Sequence, residues 1–343
     1  MRTVELDYSD VLIVPMGFGK ISSRSQVDLE NKDAVIPIIA ANMDHVGTFE
    51  VAKALAFHNI LTCLTKHYTA GEYIDFFKSG YLANHSIYSF GLGRADDEKL
   101  VQVIDSIKTG ECYAPHMFCL DVANAYNVDV LNKVKNFHQK YPEFRLMVGN
   151  VVSRVETQSF LNAGASVVKV GVGPGSACLT RSETGIGRPQ LSAVMDCHDA
   201  TKNLFNERIG SICADGGITC PGDVVKAFAA GADYVMLGGE FAGHDEGYTE
   251  EELANDKLQF YGMSSHLAQV AHGGEVKEYR SSEGRELFIK RKGPIKNTVN
   301  RYLAGLRSAC AYLDCENINE LKGCVGRNAN FIRVNNQLNR KFV

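Results

Sequence analysis

The sequence predicts an α/β fold, the (β/α)8 or TIM barrel, with a long flap inserted after its eighth strand. From Ile36 onward, eight short apolar runs alternate with helical patterns, and this alternation is typical of βα units that build a parallel sheet. Polar and glycine residues follow the runs, as they do on the functional face of such barrels. A doubly wound sheet is the alternative, and it is disfavoured because no Gly-x-Gly-x-x-Gly motif follows the first run.

The predicted elements follow one another regularly along the chain. Residues 6–15 form a short mixed segment that we expect to cover the barrel. Strands are predicted over residues 36–40, 60–64, 86–90, 117–120, 145–148, 166–170, 209–213 and 234–237. Helices are predicted over residues 48–57, 97–108, 128–140, 154–163, 190–205, 221–230 and 294–312. Several of these helices begin at a capping residue or a first-turn proline.

The segment after the eighth strand is much longer than an ordinary loop. Residues 240–293 are rich in Gly, Glu, Lys and Ser, and connections of this length are typical of lids that close over a site. The length of 343 residues allows one large barrel or two medium domains. We interpret residues 1–343 as a single barrel domain that carries this flap.

Composition excludes several classes of protein. The formal net charge of -4 provides no broad basic surface, which argues against nucleic acid as a partner. The amino terminus lacks a signal-peptide core and no apolar run is long enough to span a bilayer, so no membrane association is expected. Ten cysteines show neither a Cys-x-x-Cys pair nor a zinc-site spacing. Free thiols in a reducing cytoplasm are the expectation.

A glycine-rich stretch with a reactive set of side chains follows the sixth predicted strand. Residues 171–181 read Gly-Val-Gly-Pro-Gly-Ser-Ala-Cys-Leu-Thr-Arg, and the glycines allow the backbone to turn tightly and approach a ligand. Exposed amides and a nearby cation favour the thiolate form of Cys178, which makes it the candidate nucleophile. The plainer interpretation of this stretch is a turn with an incidental, inert cysteine. For the other nine cysteines we expect buried, inert thiols.

Two glycine pairs predict a phosphate pocket. Gly216-Gly217 and Gly238-Gly239 follow the seventh and eighth strands, where bare backbone amides can approach a phosphate, and Ser176 offers a hydroxyl donor. Asp215 would repel phosphate, so we assign it to the hydroxyls of a ribose. Together these groups describe a nucleoside monophosphate. The other strand ends carry further polar candidates, in the segments Asn42-Met43-Asp44, Lys66-His67-Tyr68, Asp121-Val122-Ala123-Asn124 and Gly149-Asn150.

Several segments resemble the IMP dehydrogenase and GMP reductase family. These are residues 171–190, Ala214-Asp215-Gly216-Gly217, Leu237-Gly238-Gly239 and Tyr261-Gly262-Met263-Ser264-Ser265, and the likeness runs from Asp7-Tyr8-Ser9-Asp10 to Phe331-Ile332-Arg333-Val334. Segments 241–246, 261–265 and 278–284 look like the reductase branch. Residues 66–68 lead to the third strand with no room for the regulatory modules that the dehydrogenases usually carry there.

The resemblance implies a reaction in which GMP and NADPH give IMP, ammonia and NADP⁺. It implies that Cys178 attacks purine C2 and that Thr180 and Glu283 protonate the departing amino group. It also implies a homotetramer and roles for further residues. These are Lys66, Asp121, Asn150 and Ser264 for the cofactor, Met263, Arg280, Ser282 and Gly284 around the base and flap, and the backbone carbonyls of Gly173, Gly175 and Cys178 for K⁺.

Three departures from the family pattern keep alternatives open. Leu179, His266 and Arg285 stand where the family usually has threonine, glutamate and lysine. The last two leave room for a modified purine nucleotide as the substrate. A dehydrogenase without regulatory modules is a second alternative, and a nucleotide sensor that retains only the barrel is a third. The combination of Cys178, Thr180 and Glu283 argues against the sensor, because a binder needs neither a nucleophile nor an acid.

Overall fold

Eight parallel strands close into a barrel in chain order, as the alternation of apolar runs predicts. The computed structural model describes residues 4–15, 17–122, 124–255, 257–272, 282–325 and 329–334. Its strands are β1 (Val11–Ile13), β2 (Ile36–Ala40), β3 (Ile60–Cys63), β4 (Ser86–Phe90), β5 (Met117–Asp121), β6 (Leu146–Val151), β7 (Val167–Val170), β8 (Ser211–Asp215), β9 (Tyr234–Leu237), β10 (Leu258–Tyr261), β11 (Glu286–Ile289) and β12 (Phe331–Arg333). Strands β2 to β9 form the barrel. The (β/α)8 prediction is confirmed.

Helices occupy the connections between the barrel strands, and further helices follow the last barrel strand. They are α1 (Phe49–Ala56), α2 (Ala70–Phe77), α3 (Gly80–Asn84), α4 (Arg94–Lys108), α5 (Val128–Lys140), α6 (Arg154–Asn162), α7 (Thr180–Thr184), α8 (Gln190–Asp199), α9 (Pro221–Ala229), α10 (Glu250–Leu253), α11 (His266–Ala271), α12 (Lys296–Tyr312) and α13 (Ile318–Leu321). Capping side chains and a first-turn proline determine where several of them begin. Thr48 accepts a hydrogen bond from the Val51 amide at the start of α1, and Pro221 occupies the first turn of α9. None of the described helices has the length and apolar character that crossing a bilayer requires.

The barrel strands read as apolar runs because both of their faces are buried. Every residue of β2, β3, β4, β7 and β9 is buried, since helices cover the outside and side chains fill the inside. Three strands extend further than the apolar runs suggest. Asp121, Asn150 and Asp215 lie within β5, β6 and β8 rather than after them. The strands therefore carry these polar side chains on rigid backbone.

One predicted helix is too long. The sequence predicts a helix over residues 190–205, whereas α8 ends at Asp199. The side chain of Asn203 accepts hydrogen bonds from the amides of Phe205 and Glu207, both at 2.9 Å. Asn206 then adopts a positive φ of 62°. An asparagine side chain that bonds its own backbone favours a turn over a helix.

Segments outside the barrel form two small antiparallel sheets. Strand β1 pairs with β12, so the amino-terminal segment and the carboxy-terminal strand lie together. Strands β10 and β11 form the second pair, with Leu258 opposite Ile289 and Tyr261 opposite Glu286. This second pair belongs to the insertion that the sequence identifies as a flap. The flap therefore has a sheet of its own rather than being a bare loop.

Candidate active site

The glycine-rich loop after β7 turns back on itself and presents Cys178. Gly173 has a φ of +78°, and a Cβ there would lie 2.5 Å from Cγ of Arg181, so only glycine fits this turn without strain. The Gly175 carbonyl accepts a hydrogen bond from the Cys178 amide at 3.0 Å. Helix α7 then begins at Thr180. Cys178 is partly accessible to solvent, whereas most of the other cysteines are buried.

A series of hydrogen bonds links the thiol to a carboxylate of the flap. The Cys178 thiol donates to Oγ1 of Thr180 at 3.2 Å. The Thr180 hydroxyl in turn donates to Oε2 of Glu283 at 2.6 Å. A thiol, a hydroxyl and a carboxylate in sequence form a path along which a proton can move between the nucleophile and an acid.

Backbone pairing fixes the flap against this loop. Cys178 and Gly284 form an antiparallel bridge. The Leu179 amide donates to the Glu283 carbonyl at 2.7 Å, and the Arg285 amide donates to the Ala177 carbonyl at 2.9 Å. The position of the Glu283 carboxylate therefore depends on main-chain contacts as well as on its own side chain.

Charged and polar side chains from four neighbouring strands and one loop meet inside the barrel. Lys169 on β7 places its ammonium 3.0 Å from Asp121 and 3.7 Å from Asp215, and its side chain is only 3% exposed. Lys66 lies 3.7 Å from the other oxygen of Asp121. Asn150 donates to Asp215 at 2.9 Å and to the Gly171 carbonyl at 2.8 Å. This network joins the end of the barrel to the first residue of the reactive loop.

The pKa shifts in the network follow from its charges. Burial by itself raises the pKa of Asp121, but the nearby ammonium groups of Lys169 and Lys66 outweigh it and hold this pKa at about 2. Burial likewise lowers the pKa of Lys169, and Asp121 opposes it, so that this pKa lies well above its usual value. Asp121 and Lys169 are therefore both charged at neutral pH.

The reactive loop, the barrel ends and the flap enclose one cavity of about 420 Å³. It is lined by most of the residues that the sequence singles out: Lys66, Asp121, Asn150, Gly173, Gly175, Ser176, Cys178, Thr180, Asp215, Gly216, Gly217, Gly238, Gly239, Met263, Ser264, Glu283 and Gly284. Ser282 lies outside the lining, and its hydroxyl donates to the Gly284 carbonyl at 3.5 Å. Arg280 falls outside the described residues.

The glycine pairs leave room for a ligand at one end of the cavity. Gly216 and Gly217 have φ values of +86° and +77°, which L side chains rarely adopt. A Cβ on Gly239 would approach the Ser176 hydroxyl to 2.5 Å. The bare backbone therefore leaves this hydroxyl accessible, and the end of the cavity offers amides and a hydroxyl suited to an anion.

Comparison with known proteins identifies the family. A family model described as the IMP dehydrogenase / GMP reductase domain matches residues 103–340. The chain is 42% identical to "GMP reductase" of Phytophthora infestans, with 99% of this chain and 93% of the relative covered. The chain belongs to the IMP dehydrogenase / GMP reductase family. It is also 43% identical to "GMP reductase 1" of Mus musculus and to "GMP reductase" of Klebsiella pneumoniae, each over 99% of this chain, covering 98% and 97% of those relatives.

Lys169, which belongs to the buried charge network, is a residue that the sequence analysis does not single out. It lies within a predicted strand, although a lysine between Val168 and Val170 is an unusual residue in a buried run. Asn42 follows the first barrel strand, lines the cavity, and its side chain contributes to the low pKa of Asp121 by hydrogen bonding. Because a buried charge must have a partner, a lysine in strand β7 predicts an acidic side chain close to it.

Removing the buried ammonium should destabilise the fold of this family member. We expect Lys169→Met to lower the free energy of unfolding by about 3 kcal/mol at pH 7, because Asp121 loses its nearest counter-charge. Urea unfolding measures this difference. Lys53→Met is the matched control, since Lys53 pairs with Glu50 on the exposed face of α1 and such pairs contribute less than about 1 kcal/mol.

The same variant should change the acid sensitivity. The lowered pKa of Asp121 contributes stability that is present above about pH 4 and is lost as the pH falls through about 2. Without Lys169 the pKa of Asp121 rises, so less stability remains to be lost across this range. Equal losses of stability between pH 4 and pH 2 in the wild type and Lys169→Met would contradict the assignment.

Proposed function

We propose that this protein is a GMP reductase, which converts GMP and NADPH to IMP, ammonia and NADP⁺. The observation that carries the proposal is the series of hydrogen bonds from Cys178 through Thr180 to Glu283 at the mouth of the barrel cavity. The relatives of Phytophthora, mouse and Klebsiella named above support the reductase over the dehydrogenase branch. Reductive deamination needs both a nucleophile and a proton donor for the amine, and this series supplies both.

The substrate is expected to lie with its phosphate at the glycine pairs. Ser176 and the amides of Gly216, Gly217, Gly238 and Gly239 would bind the phosphate, which agrees with the bare backbone at that end. Asp215 lines the same cavity and would bind the ribose hydroxyls. The residues expected around the base are Met263, Ser282, Gly284 and Arg280.

The proton path accounts for the leaving group. Glu283, acting through Thr180, takes the thiol proton as the Cys178 sulfur forms a bond to purine C2. The same proton then moves to the amino group, which leaves as ammonia when its bond to C2 breaks. The product at this stage is a thioimidate between Cys178 and the purine. An amine leaves readily only after protonation, so the carboxyl group has to stand beside it.

The cofactor is expected beside Lys66, Asp121, Asn150 and Ser264. NADPH, when bound, would supply a hydride to C2 that takes the place of the Cys178 sulfur, so that the bond between sulfur and C2 breaks and IMP and the free thiolate form. The fit rests on these four residues lining the same cavity as Cys178. Lys66, held 3.7 Å from Asp121, keeps a positive charge near the reacting centre, and the network behind it keeps Asp121 ionised.

We also propose a K⁺ site formed by the carbonyls of Gly173, Gly175 and Cys178. Carbonyl oxygens are hard ligands that suit such a cation, and the tight turn at Gly173 keeps these three residues close along the loop. A cation there would hold the loop in the shape that presents the thiol.

The same proposal includes a homotetramer, a cytoplasmic location and a single domain over residues 1–343 that carries a flap over residues 240–293. The free thiols of the described cysteines agree with a reducing compartment.

A substrate comparison tests the function. NADPH oxidation should require GMP and should yield IMP and ammonia in equal amounts, as measured by absorbance of the reduced cofactor and by chromatography. Turnover of IMP with NAD⁺ alone would identify a dehydrogenase, and turnover only with a modified purine nucleotide would move the substrate assignment. Nucleotide binding without any turnover would favour the third alternative, a nucleotide sensor without catalytic activity.

The reaction should require the flap to be docked against the reactive loop. A Cβ on Gly262 would overlap the carbonyl oxygen of Ala177 and lie 2.9 Å from Cα of Gly284. We expect Gly262→Ala to lower kcat by about 10²-fold, because a shift of about 1 Å in the flap misplaces Glu283. Gly71→Ala is the control, since a Cβ there meets no atom within 4 Å. An unchanged kcat in Gly262→Ala would show that the docked flap is not needed.

A further inference from the structure

A second cluster of metal-ligating side chains joins the flap to the barrel outside the reacting centre. Asp44 follows β2, His67 follows β3, and His272 follows helix α11 of the flap. One ligand atom from each of the three side chains lies within 4.8 Å of the others. None of these residues has a part in the proposed reaction.

Direct contacts hold the three side chains of the cluster together. Nε2 of His272 lies 2.7 Å from a carboxylate oxygen of Asp44. The rings of His67 and His272 stack with an interplanar angle of 4°. The Tyr261 hydroxyl donates to the Asp44 carboxylate at 2.8 Å, and second partners of this kind orient metal ligands in proteins.

We propose that Asp44, His67 and His272 bind a divalent cation of the Zn²⁺ class and thereby fasten the flap to the barrel. Two imidazoles and one carboxylate form a ligand set that Zn²⁺ takes, with a water in the fourth position. Ligands around a tetrahedral zinc ion lie about 3.3 Å apart at metal–ligand distances of about 2.0–2.1 Å. One imidazole ring has to turn out of the stack so that both ring nitrogens point at the ion.

Solvent can reach the site. His67 and His272 are exposed and Asp44 is half-buried, so an ion can enter without unfolding the chain. Two ligands belong to loops of the barrel and the third belongs to the flap, so binding bridges the two parts. The site adjoins the cavity, since the Asp44 amide lies 3.4 Å from the sulfur of Met263. The proposal does not depend on the reaction assigned to Cys178.

Titration with Co²⁺ and Zn²⁺ tests the site directly. The full chain should bind one Co²⁺ with the visible absorption of a tetrahedral complex, and Zn²⁺ should displace it. We expect His67→Ala and His272→Ala each to weaken binding by at least about tenfold, and Tyr261→Phe to weaken it by about tenfold through the loss of the hydrogen bond to Asp44. His266→Ala removes an exposed histidine of the same flap helix and should leave binding unchanged.

Two further measurements distinguish this site from the thiol and report the bridge. Cys178→Ser should bind the metal as the wild type does, and loss of binding in this variant would place the metal on the thiolate and overturn the proposal. Zn²⁺ should slow amide hydrogen exchange in residues 266–272 of the wild type and have no such effect in His67→Ala. Circular dichroism confirms that each variant is folded. Equal affinities in His67→Ala, His272→Ala and the wild type would also overturn the proposal.

Discussion

Replacing Cys178 with alanine is expected to lower kcat for GMP and NADPH by at least about 10⁴-fold, because Cys178 is the one thiol among the described residues that line the cavity. GMP binding should survive, since the phosphate end of the cavity is formed by other residues. Steady-state kinetics measures the loss of turnover, and isothermal titration with GMP measures the retained affinity.

The control is a cysteine at the other end of the barrel. Cys112 lies between α4 and β5, at the end opposite the reactive loop, and is buried. Cys112→Ala removes a thiol of the same type and should leave kcat within about twofold. Mass spectrometry of the wild type quenched during turnover should find the purine adduct on Cys178. If Cys178→Ala turns over GMP at the wild-type rate, the covalent mechanism is wrong.

The barrel was predictable because buried parallel strands have a simple signature. A strand covered on both faces reads as an apolar run of four to six residues, and helices with polar faces separate these runs. Turn chemistry was readable too, since Gly173, Gly216 and Gly217 all adopt positive φ values. The position of Cys178 after the sixth barrel strand followed from these two signals alone.

Strand ends and buried charges were harder to predict. Rules that end a strand at its first polar residue place Asp121, Asn150 and Asp215 in loops, whereas the polar network inside the barrel keeps them in strands β5, β6 and β8. Lys169 belongs to the same network, and its partners lie on strands that are distant in sequence. A charge inside a barrel is stable only with these partners, and they become visible only when the sheet closes.

The docking of the flap was beyond any local signal. Thr180 and Glu283 are 103 positions apart in the chain, and the bridge between Cys178 and Gly284 depends on a hairpin within the insertion. The family resemblance supplied Glu283 as an expected acid, and the three-dimensional contacts now explain how it reaches the hydroxyl of Thr180. The same contacts give the acid a role that can be separated from that of the thiol.

Glu283→Gln should therefore stop deamination while sparing hydride transfer. Glutamine retains the size of the side chain but cannot take the thiol proton and return it to the amine, so we expect kcat for GMP to fall by about 10²- to 10⁴-fold. The hydride half of the reaction moves no amino group. At about pH 9, above the ordinary thiol pKa of about 8.5, Cys178 can ionise without a base, and IMP mixed with NADP⁺ should still give a single-turnover formation of NADPH, observed by stopped-flow absorbance.

Comparing deamination with hydride transfer distinguishes two roles of Glu283, namely proton transfer and holding the flap in place. Thr180→Val interrupts the same path between the thiol and the carboxylate, and it should resemble Glu283→Gln in losing deamination. Cys178→Ala should lose both halves, because each forms or breaks the bond between sulfur and C2. If Glu283→Gln loses hydride transfer to the same extent as deamination, the carboxylate serves to hold the flap in place. The hydrogen bond of 2.6 Å between Thr180 and Glu283 would then be structural rather than part of a proton path.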